Sequence, residues 1–324
     1  MSDTAVRTSP GKPRVFATRR FPARVREELE LSFELDVHDS EWPPSREELL
    51  ARAAGRDGLM TMLTDRIDEE LLDVAGPQLR VVANFAVGFD NVDVPACTRH
   101  GVLVSNTPDV LTAATAELTI ALMLALVRRV AEGDRLVRRR EEWIWAPNMM
   151  LGSGLAGKTL GLVGHGRIGQ AVARLAEAHG MIVVHSARTG GMALDDLLAA
   201  ADVVSLHLPL SDETRHLIDA RVLGLMKPAA VLVNTSRGPI VDEAALARAV
   251  ADGTIAGAGL DVFEREPEVA EALLGLENVV LTPHLGSATL ETREAMGMLC
   301  VGALRAVLLE GRVPRNALNP EALS

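Results

Sequence analysis

The feature that most constrains the fold of this chain is a glycine-rich segment near its middle. An apolar stretch that begins at Leu160 runs into Gly164-His-Gly166-Arg-Ile-Gly169, and an amphipathic run then continues to about His179. This order predicts a buried strand, a tight turn and a helix. A Gly-x-Gly-x-x-Gly turn alone is weak evidence for a ligand. Its flanking strand and helix favour a dinucleotide site over a purely structural turn.

Each glycine of this turn has a separate predicted task. Gly164 allows the tight turn, Gly166 lets the backbone approach a pyrophosphate, and Gly169 lets the helix and strand pack closely. The first turn of the helix offers N–H groups and the positive end of its dipole to phosphate. We therefore predict that the pyrophosphate of a dinucleotide binds at this turn.

Composition excludes several classes of protein. The chain has 324 residues, enough for two domains, and its net charge of −11 argues against nucleic acid or an anionic membrane surface as a main partner. The longest apolar run, 118–127, is shorter than the roughly 20 residues of a membrane span, and the first residues lack the apolar core of a secretory signal. Cys97 and Cys300 have no metal-type spacing. We expect a reduced, cytoplasmic protein with no metal site.

Strand and helix patterns alternate through the first hundred residues. Strands are predicted at 15–18, 35–38, 58–63, 79–84 and 102–105, and helices at 22–31, from Ser45, at 67–74 and at 94–100. Ser45 and Glu48 form a capping-box pattern at the start of the second helix. Such alternation predicts a parallel α/β sheet. Because no second Gly-x-Gly-x-x-Gly occurs here, this half is not the predicted cofactor half.

A loop of small residues, 85–93, follows the fourth predicted strand. Ligands of α/β folds bind at the carboxyl ends of strands. The loop could present backbone N–H groups to a carboxylate, or it could be a plain strand-to-helix turn. The residues alone leave both possibilities open.

A break at Asn106-Thr-Pro108 separates this half from a long helical pattern, which we predict as one helix from Thr112 to about Arg140. The segment 141–147 follows and holds Trp143 and Trp145. Two Trp residues in a loop suggest docking against a second subunit. Packing on their own chain is the alternative.

The strand predicted at 182–186 bears on the choice of dinucleotide. A site for NAD carries Asp or Glu at the end of this strand to bind the ribose hydroxyls. Here Ser186 is followed by Ala187, Arg188 and Thr189. An Arg and a hydroxyl would pair with a 2′-phosphate, which a carboxylate would repel. We therefore predict that NADP(H) is preferred, with NAD(H) possible; the alternative is a solvated Arg in a loop.

Three polar residues follow the later predicted strands, at 202–208, 230–234, 255–262 and 279–282. They are Arg237, Glu266 and His284. Each alone has an ordinary structural explanation, but together they could converge at one cleft. Arg237 could bind the carboxylate and keto oxygen of a 2-oxo acid, and His284 could protonate the developing alkoxide. Glu266 could orient His284 and favour its protonated form.

These residues and several longer motifs resemble the D-isomer-specific 2-hydroxyacid dehydrogenase family. The motifs are NTPDVLTAATAELTIALML, GHGRIGQAVAR, NTSRGPIVDEAAL, GAGLDVFEREP and VVLTPHLGS, and the resemblance spans about Val15 to Asn316. It implies two Rossmann-like or flavodoxin-like parallel-sheet domains of the α/β class. The nucleotide-binding domain, 107–287, would be inserted in a substrate domain formed by 1–106 and 288–324, to which the last helix returns.

The resemblance also implies a set of site residues. Catalytic roles fall on Arg237, Glu266 and His284. Cofactor contacts fall on Gly164, His165, Gly166, Arg167, Ile168, Gly169, Ser186, Ala187, Arg188, Thr189, Leu208, Pro209, Thr214, Thr235, Ser236, Asp261 and Gly286. Substrate contacts fall on Leu63, Val87, Gly88 and Trp145. His165 departs from the apolar residue common between the first two glycines, and we expect it to point to solvent.

Within this family the chain is most similar to the glyoxylate/hydroxypyruvate reductases, in TMLTDRID, NFAVGFDNVD, WAPNMMLG and SART. That branch implies reduction of small 2-oxo acids with NADPH by a homodimer in which Trp145 reaches the neighbouring subunit. Val87 stands where phosphite dehydrogenases carry Lys, and Glu266 where formate dehydrogenases carry Gln. Both of these activities are therefore disfavoured. A D-lactate or phosphoglycerate type of dehydrogenase stays open, as does a non-enzymatic NAD(P)-sensing regulator.

Overall fold

The computed structural model describes residues 11–323, which divide into two compact units. The first unit comprises the residues up to Val110 together with those from Leu290 onward, and the second comprises Leu111–Thr289. Both units are built on all-parallel sheets flanked by helices. This architecture confirms the predicted α/β class. Within residues 11–323, no helix combines the length and apolar character needed to cross a membrane.

The first unit contains a five-stranded sheet in the order β2-β1-β3-β4-β5, which is the flavodoxin-like order. Its elements are β1 (Arg14–Ala17), α1 (Ala23–Ser32), β2 (Glu34–Val37), α2 (Arg46–Ala53), β3 (Gly58–Thr61), α3 (Glu69–Ala75), β4 (Val81–Asn84), α4 (Val94–Arg99), β5 (Leu103–Ser105) and, after the second unit, α12 (Leu290–Leu308). Strands β3, β4 and β5 are buried along their whole length. Their apolar runs therefore behave as expected for a parallel sheet covered on both faces.

Side-chain caps fix where two of these helices begin. Ser45 accepts a hydrogen bond from the N–H of Glu48, but the Glu48 carboxylate bonds His38 and Arg52, so only half of the predicted capping box forms. The helix predicted from Ile67 begins two residues later. Asp68 caps α3, and Ile67 is fully buried and bridges Val92 instead.

Helix α12 packs on the first unit. The Arg305 guanidinium donates to Ser32 Oγ at 2.7 Å and to the Glu28 carboxylate at 2.6 Å. Gly297 lies so close to Val25 that an added Cβ would be 2.3 Å from a Val25 methyl group. These contacts place the last helix against α1, as the family resemblance implied.

The second unit contains a six-stranded sheet in the order β11-β10-β9-β8-β6-β7. Its elements are α5 (Thr112–Val127), α6 (Val130–Arg138), β6 (Thr159–Val163), α7 (Arg167–Ala178), β7 (Ile182–Ser186), α8 (Leu194–Ala200), β8 (Val203–Leu206), α9 (Ala220–Leu223), β9 (Val231–Asn234), α10 (Glu243–Ala251), β10 (Gly257–Leu260), α11 (Glu271–Leu274) and β11 (Val279–Leu281). The strand order reverses at β6, whose two neighbours are β7 and β8. Open α/β sheets bind ligands at such a switch point, beyond the carboxyl ends of the strands.

The prediction of one helix from Thr112 to Arg140 is wrong. Arg129 lies in the left-handed region with φ of 54° and separates α5 from α6. The break has a tertiary cause, because the carbonyl of Val127 accepts a hydrogen bond from the N–H of Ser153 at 2.7 Å. An added Cβ on Gly152 would lie 2.2 Å from that same oxygen. The segment at Gly152 and Ser153 therefore packs against the C-terminal end of α5.

Candidate active site

The glycine turn after β6 has the predicted shape. Gly164 has φ of 97°, and a Cβ there would lie 2.4 Å from the carbonyl oxygen of His207. A Cβ on Gly169 would lie 2.5 Å from the carbonyl oxygen of Gly164, so α7 passes directly over the turn. Gly166, in contrast, has no atom within 4 Å of an added Cβ. Two of the glycines are required by packing, while the third faces open space.

Helix α7 begins at this open face without a side-chain cap. Its N-cap residue is Gly166, which carries no side chain to satisfy the first N–H groups. Arg167 is exposed and Ile168 is partly buried at the first turn. An uncapped helix N-terminus beside a glycine turn has the donors and the dipole that bind phosphate.

The chain after β7 folds into a tight turn beside the glycines. The N–H of Gly164 donates to the carbonyl of Ser186 at 2.8 Å, which joins the two turns. The N–H of Ala187 donates to Gly190 at 3.2 Å, so Arg188 and Thr189 lie exposed at the tip. No carboxylate occurs at 186–189. A cation and a hydroxyl therefore stand where NAD sites carry an acid.

Several hydroxyls predicted to contact the cofactor form hydrogen bonds within the protein. Thr214 Oγ1 donates to the carbonyl of Pro209 at 2.8 Å and closes the loop that follows Leu208. Thr235 is buried, with its Oγ1 2.9 Å from the hydroxyl of Thr119. Ser236 Oγ donates to the carbonyl of Leu206 at 2.6 Å. These hydrogen bonds stabilise the loops after β8 and β9.

The structure brings His284 and Glu266 together. The Nδ1 of His284 lies 2.8 Å from the Glu266 Oε2, and the Oε1 accepts the N–H of Phe263 at 3.1 Å. The His284 and Glu266 side chains are 28% and 25% exposed, so the pair is largely shielded from water. Because Nδ1 is held by the carboxylate, Nε2 is the ring nitrogen that remains for a substrate.

Arg237 belongs to the same group of charges. Its loop packs directly on the chain after β10, since an added Cβ on Gly238 would lie 1.9 Å from the carbonyl carbon of Phe263. Burial by itself would raise the pKa of Glu266. The hydrogen bond and charge of His284, the N–H of Phe263 and the charge of Arg237 outweigh it and lower that pKa. Glu266 is therefore ionised at neutral pH.

Asp261 anchors the turn that carries His284. Its buried carboxylate accepts hydrogen bonds from Thr282 Oγ1 at 2.6 Å, from the N–H of Leu285 at 2.7 Å and from the N–H of Gly286 at 2.8 Å. Burial, the largest influence, raises the pKa of Asp261 despite these donors. Three donors on one carboxylate hold the turn in place, and His284 itself has φ of 54°. The sequence predicted Asp261 at the cofactor but not this anchoring contact.

Two buried polar residues at the site were not predicted. The Asn234 amide donates to the carbonyl of Arg237 at 2.8 Å and so shapes the loop after β9. Thr115 on α5 donates to the carbonyl of Gly286 at 3.0 Å. Asn234 is the last residue of β9 and Thr115 lies in the first turn of α5, and the sequence does not show which backbone carbonyl each of them reaches.

His165 does not point freely to solvent as expected. Its ring is partly buried and stacks on the ring of His185, with centroids 4.0 Å apart and planes inclined by 14°. His185 was not among the predicted site residues. The departure at position 165 is thus matched by a second histidine on the neighbouring strand β7.

The first unit holds three of the predicted substrate residues. The carbonyls of Val87 and Gly88 accept hydrogen bonds from the amides of Asn106 at 2.8 Å and Asn84 at 3.0 Å. The N–H groups of Val87 and Gly88 have no acceptor among residues 11–323. Leu63 is partly buried in the loop after β3. The two amides thus hold the carbonyls of Val87 and Gly88, while the N–H donors of these two residues remain available.

Trp145, the fourth predicted substrate residue, is 82% exposed in the second unit. Trp143 and Ile144 beside it are also exposed, and α6 has no buried residue. The segment therefore does not pack on its own unit. This excludes, for the second unit, the alternative in which these rings fill a core.

Comparison with known proteins decides the family. The family model described as "D-isomer specific 2-hydroxyacid dehydrogenase, NAD binding domain" matches residues 120–286. The glyoxylate reductase of Aeropyrum pernix is 49% identical over 96% of this chain and 97% of its own length. That of Thermococcus litoralis is 46% identical over 97% of this chain and 98% of its own length. The chain belongs to the D-isomer specific 2-hydroxyacid dehydrogenase family.

A solved structure extends the similarity to three dimensions. The NADPH-dependent glyoxylate/hydroxypyruvate reductase of Sinorhizobium meliloti, solved with NADP and malonate, has a TM-score of 0.82. It is 36% identical, and the match covers 96% of this chain and 98% of that one. The comparisons confirm the predicted family and enzyme class: the protein is an oxidoreductase of this family with a Rossmann domain of the NAD-binding type.

Proposed function

We propose that this enzyme reduces small 2-oxo acids, glyoxylate and hydroxypyruvate, to glycolate and D-glycerate, and that it prefers NADPH. The observation that carries the proposal is the His284–Glu266 pair, 2.8 Å apart, with the charge of Arg237 beside it. A held imidazole next to a guanidinium is suited to a substrate that carries both a carboxylate and a carbonyl. Relatives named glyoxylate reductases support the choice of substrate.

In this proposal His284 supplies the proton. Glu266 is ionised at neutral pH, and it fixes the orientation of the His284 ring through Nδ1. Nε2 then donates its proton to the oxygen of the keto group as negative charge develops there. Arg237 offers paired N–H donors that bind the substrate carboxylate and polarise the carbonyl.

The residues of the glycine turn fit a dinucleotide. An added Cβ would meet nothing within 4 Å at Gly166, α7 has no side-chain cap, and the turn stands at the switch point of the sheet. Gly164, Gly166 and the first turn of α7 would hold the pyrophosphate. When bound, the nicotinamide supplies the hydride for the keto carbon. Residues 111–289 then form the cofactor domain, and the rest of the chain forms the substrate domain.

The preference for NADPH rests on the turn after β7. Arg188 and Thr189 are exposed at its tip, and neither Ser186 nor Ala187 carries a negative charge. The guanidinium and hydroxyl would bind the 2′-phosphate by charge-assisted hydrogen bonds. NADH, which lacks that phosphate, remains a usable cofactor with lower affinity.

The substrate carboxylate would also use backbone donors. The N–H groups of Val87 and Gly88 lack acceptors among residues 11–323, and both carbonyls are held by amide side chains. Neighbouring free donors of this kind bind carboxylates. Leu63 would limit the size of the substrate side chain.

The functional unit is proposed to be a cytoplasmic homodimer. Exposed apolar side chains cluster in and around α6 and the segment after it, and they are Val130, Val137, Trp143, Ile144, Trp145 and Leu151. Exposed apolar side chains of this number, with Trp residues among them, are typical of a subunit interface. Cys97 and Cys300 are both unpaired and buried, as in proteins of a reducing compartment. Sedimentation of the wild type and of Trp145→Glu would show whether this surface joins two copies.

The activity is tested with a panel of 2-oxo acids, following the near-ultraviolet absorbance of NADPH. We expect turnover of glyoxylate and hydroxypyruvate. In Arg237→Ala it should fall about 100-fold, because one bidentate charge-assisted contact contributes about 3 kcal/mol, while NADPH affinity stays within about twofold. Arg248→Ala, an exposed Arg on α10, is the matched control. Tight NADPH binding without turnover of any acid would reject the enzyme in favour of a regulator.

A further inference from the structure

The stacked imidazoles of His165 and His185 stand at the centre of the proposed cofactor site. His165 lies between the first two glycines of the turn, and His185 is the penultimate residue of β7, in register with Leu162 of β6. Their ring centroids are 4.0 Å apart and their planes differ by 14°. The pair bridges the two segments that the proposed function assigns to phosphates, the start of α7 and the turn of Arg188.

The segments that flank the pair carry basic side chains and a neutral imidazole. Arg167 comes from the start of α7 and Arg188 from the turn after β7, while His207 at the end of β8 has its pKa lowered by burial to about 4. No carboxylate forms a hydrogen bond or ion pair with either stacked ring within residues 11–323. The backbone of the β7–α8 loop closes over His185, since an added Cβ on Gly191 would lie 2.8 Å from that ring.

Protonation of His165 is disfavoured while no anion is near the stacked rings. Burial, and then the charge of His185, lower the pKa of His165 below its ordinary value. Two protonated rings with centroids 4.0 Å apart would repel each other, which disfavours a second proton on the pair. A phosphate changes this balance, because a nearby negative charge favours the imidazolium.

We propose that the His165–His185 stack is a proton-linked phosphate-binding element, neutral without ligand and carrying one proton when an anionic dinucleotide is bound. The inference rests on the proposed function, because it requires the dinucleotide at the 164–169 turn. The proton converts the stack into a cation that hydrogen-bonds a phosphate oxygen. The phosphate is either the 2′-phosphate of NADPH or the pyrophosphate that NADPH and NADH share.

The sign of the pH effect follows from this linkage. The complex binds one more proton than the free protein in the pH range between the pKa of the free pair and that of the bound pair. Affinity therefore rises as the pH falls through that range, by at most about tenfold per pH unit for one proton. The 2′-phosphate itself gains a proton near pH 6, which opposes the effect. The wild type and each variant are therefore titrated with the same dinucleotide, so that the titration of the 2′-phosphate contributes equally to both.

Isothermal titration of the full-length protein with NADPH and with NADH, from about pH 6 to pH 8, tests the proposal. Repeating each titration in two buffers of different ionisation enthalpy counts the protons taken up. We expect His165→Leu and His185→Gln each to take up fewer protons than the wild type, by up to one, and to lose about three- to tenfold in affinity at the acid end. His179→Gln, at the exposed end of α7, is the matched control and should behave as the wild type.

The dependence of proton uptake on the cofactor identifies the phosphate that the stacked rings bind. A difference with NADPH alone identifies the 2′-phosphate as the partner, and a difference with both cofactors identifies the pyrophosphate. Wild type and variants with equal proton uptake and parallel pH dependence would overturn the inference while leaving the proposed function intact. Absence of binding by the wild type to either dinucleotide would instead remove the proposed function. His165→Gln, with a thermal unfolding curve, serves if His165→Leu fails to fold.

Discussion

Replacing Glu266 by Gln isolates the charge that holds His284. The two side chains are joined at 2.8 Å and are only about a quarter exposed, with values of 25% and 28%. Gln keeps the shape and one acceptor oxygen but removes the negative charge. Two unit charges about 4 Å apart interact by about 4 kcal/mol at an effective dielectric constant of about 20. Because the site is partly open to water and Gln still accepts a hydrogen bond, we take about half of this, about 2 kcal/mol.

A loss of about 2 kcal/mol from the transition state corresponds to a fall of about 30-fold in kcat. The assay is steady-state reduction of glyoxylate from about pH 6 to pH 9, with NADPH affinity measured separately. We expect kcat to be lowered about 30-fold and the affinity for NADPH to stay within about twofold.

Glu268→Gln is the control for this experiment, since it makes the same change at an exposed position two residues along the chain. The reasoning is refuted if Glu266→Gln keeps its kcat within about twofold of wild type across the pH range. It is equally refuted if both variants lose activity to the same extent, because the effect would then not depend on the contact with His284.

Three further substitutions test the cofactor half. Arg188→Ala should raise the KM for NADPH about tenfold and leave that for NADH within about twofold, since it removes one charge-assisted contact to the 2′-phosphate. Gly169→Ala should lower the free energy of unfolding by about 1–3 kcal/mol, because the new Cβ would lie 2.5 Å from the Gly164 carbonyl oxygen. Burial lowers the pKa of His207 to about 4. The unfolded chain therefore binds more protons below about pH 6.5, so stability should fall by about 3 kcal/mol as the pH drops to about 4, and His207→Asn should flatten this slope.

The controls use matched positions. Arg174→Ala, at an exposed Arg on α7, should leave the KM for both cofactors unchanged. If Arg188→Ala raises the KM for NADPH and for NADH equally, Arg188 does not bind the 2′-phosphate. Unfolding in denaturant measures the second change, and a Gly169→Ala protein as stable as wild type would mean that α7 can shift away from the turn. His179→Asn, at an exposed histidine, should keep the pH slope that His207→Asn loses.

The strands and most helix starts could be predicted because their determinants are local. The apolar runs of β3 and β4 are buried throughout, and Ser45 caps α2 as its position relative to Glu48 indicated. The break between α5 and α6 could not be predicted in this way. It depends on Ser153, which lies beyond α6 and whose N–H donates a hydrogen bond to the carbonyl of Val127. The nearest Gly, Gly133, lies four residues after Arg129 inside α6 and so does not mark the break.

In the candidate site, too, the sequence predicted which residues lie at strand ends but not the contacts that their side chains make. Arg237, Glu266 and His284 could be singled out because each follows a strand, and the parallel sheet carries such ends to one edge. The direction in which a polar side chain points at that edge was not predictable. Thr235 and Ser236 were expected at the cofactor, yet both hydroxyls bond to the protein.

By itself, the sequence determined the α/β class, the family, the glycine turn and the residue types available for proton transfer and anion binding, since these depend on local pattern and chemistry. Tertiary structure alone decided the partners. Glu266 accepts from His284 because adjacent strands β10 and β11 end side by side, and His165 stacks on His185 because β6 and β7 are neighbours in the sheet. The glycine turn required a small residue at Gly164, but only the approach of the His207 carbonyl oxygen shows why.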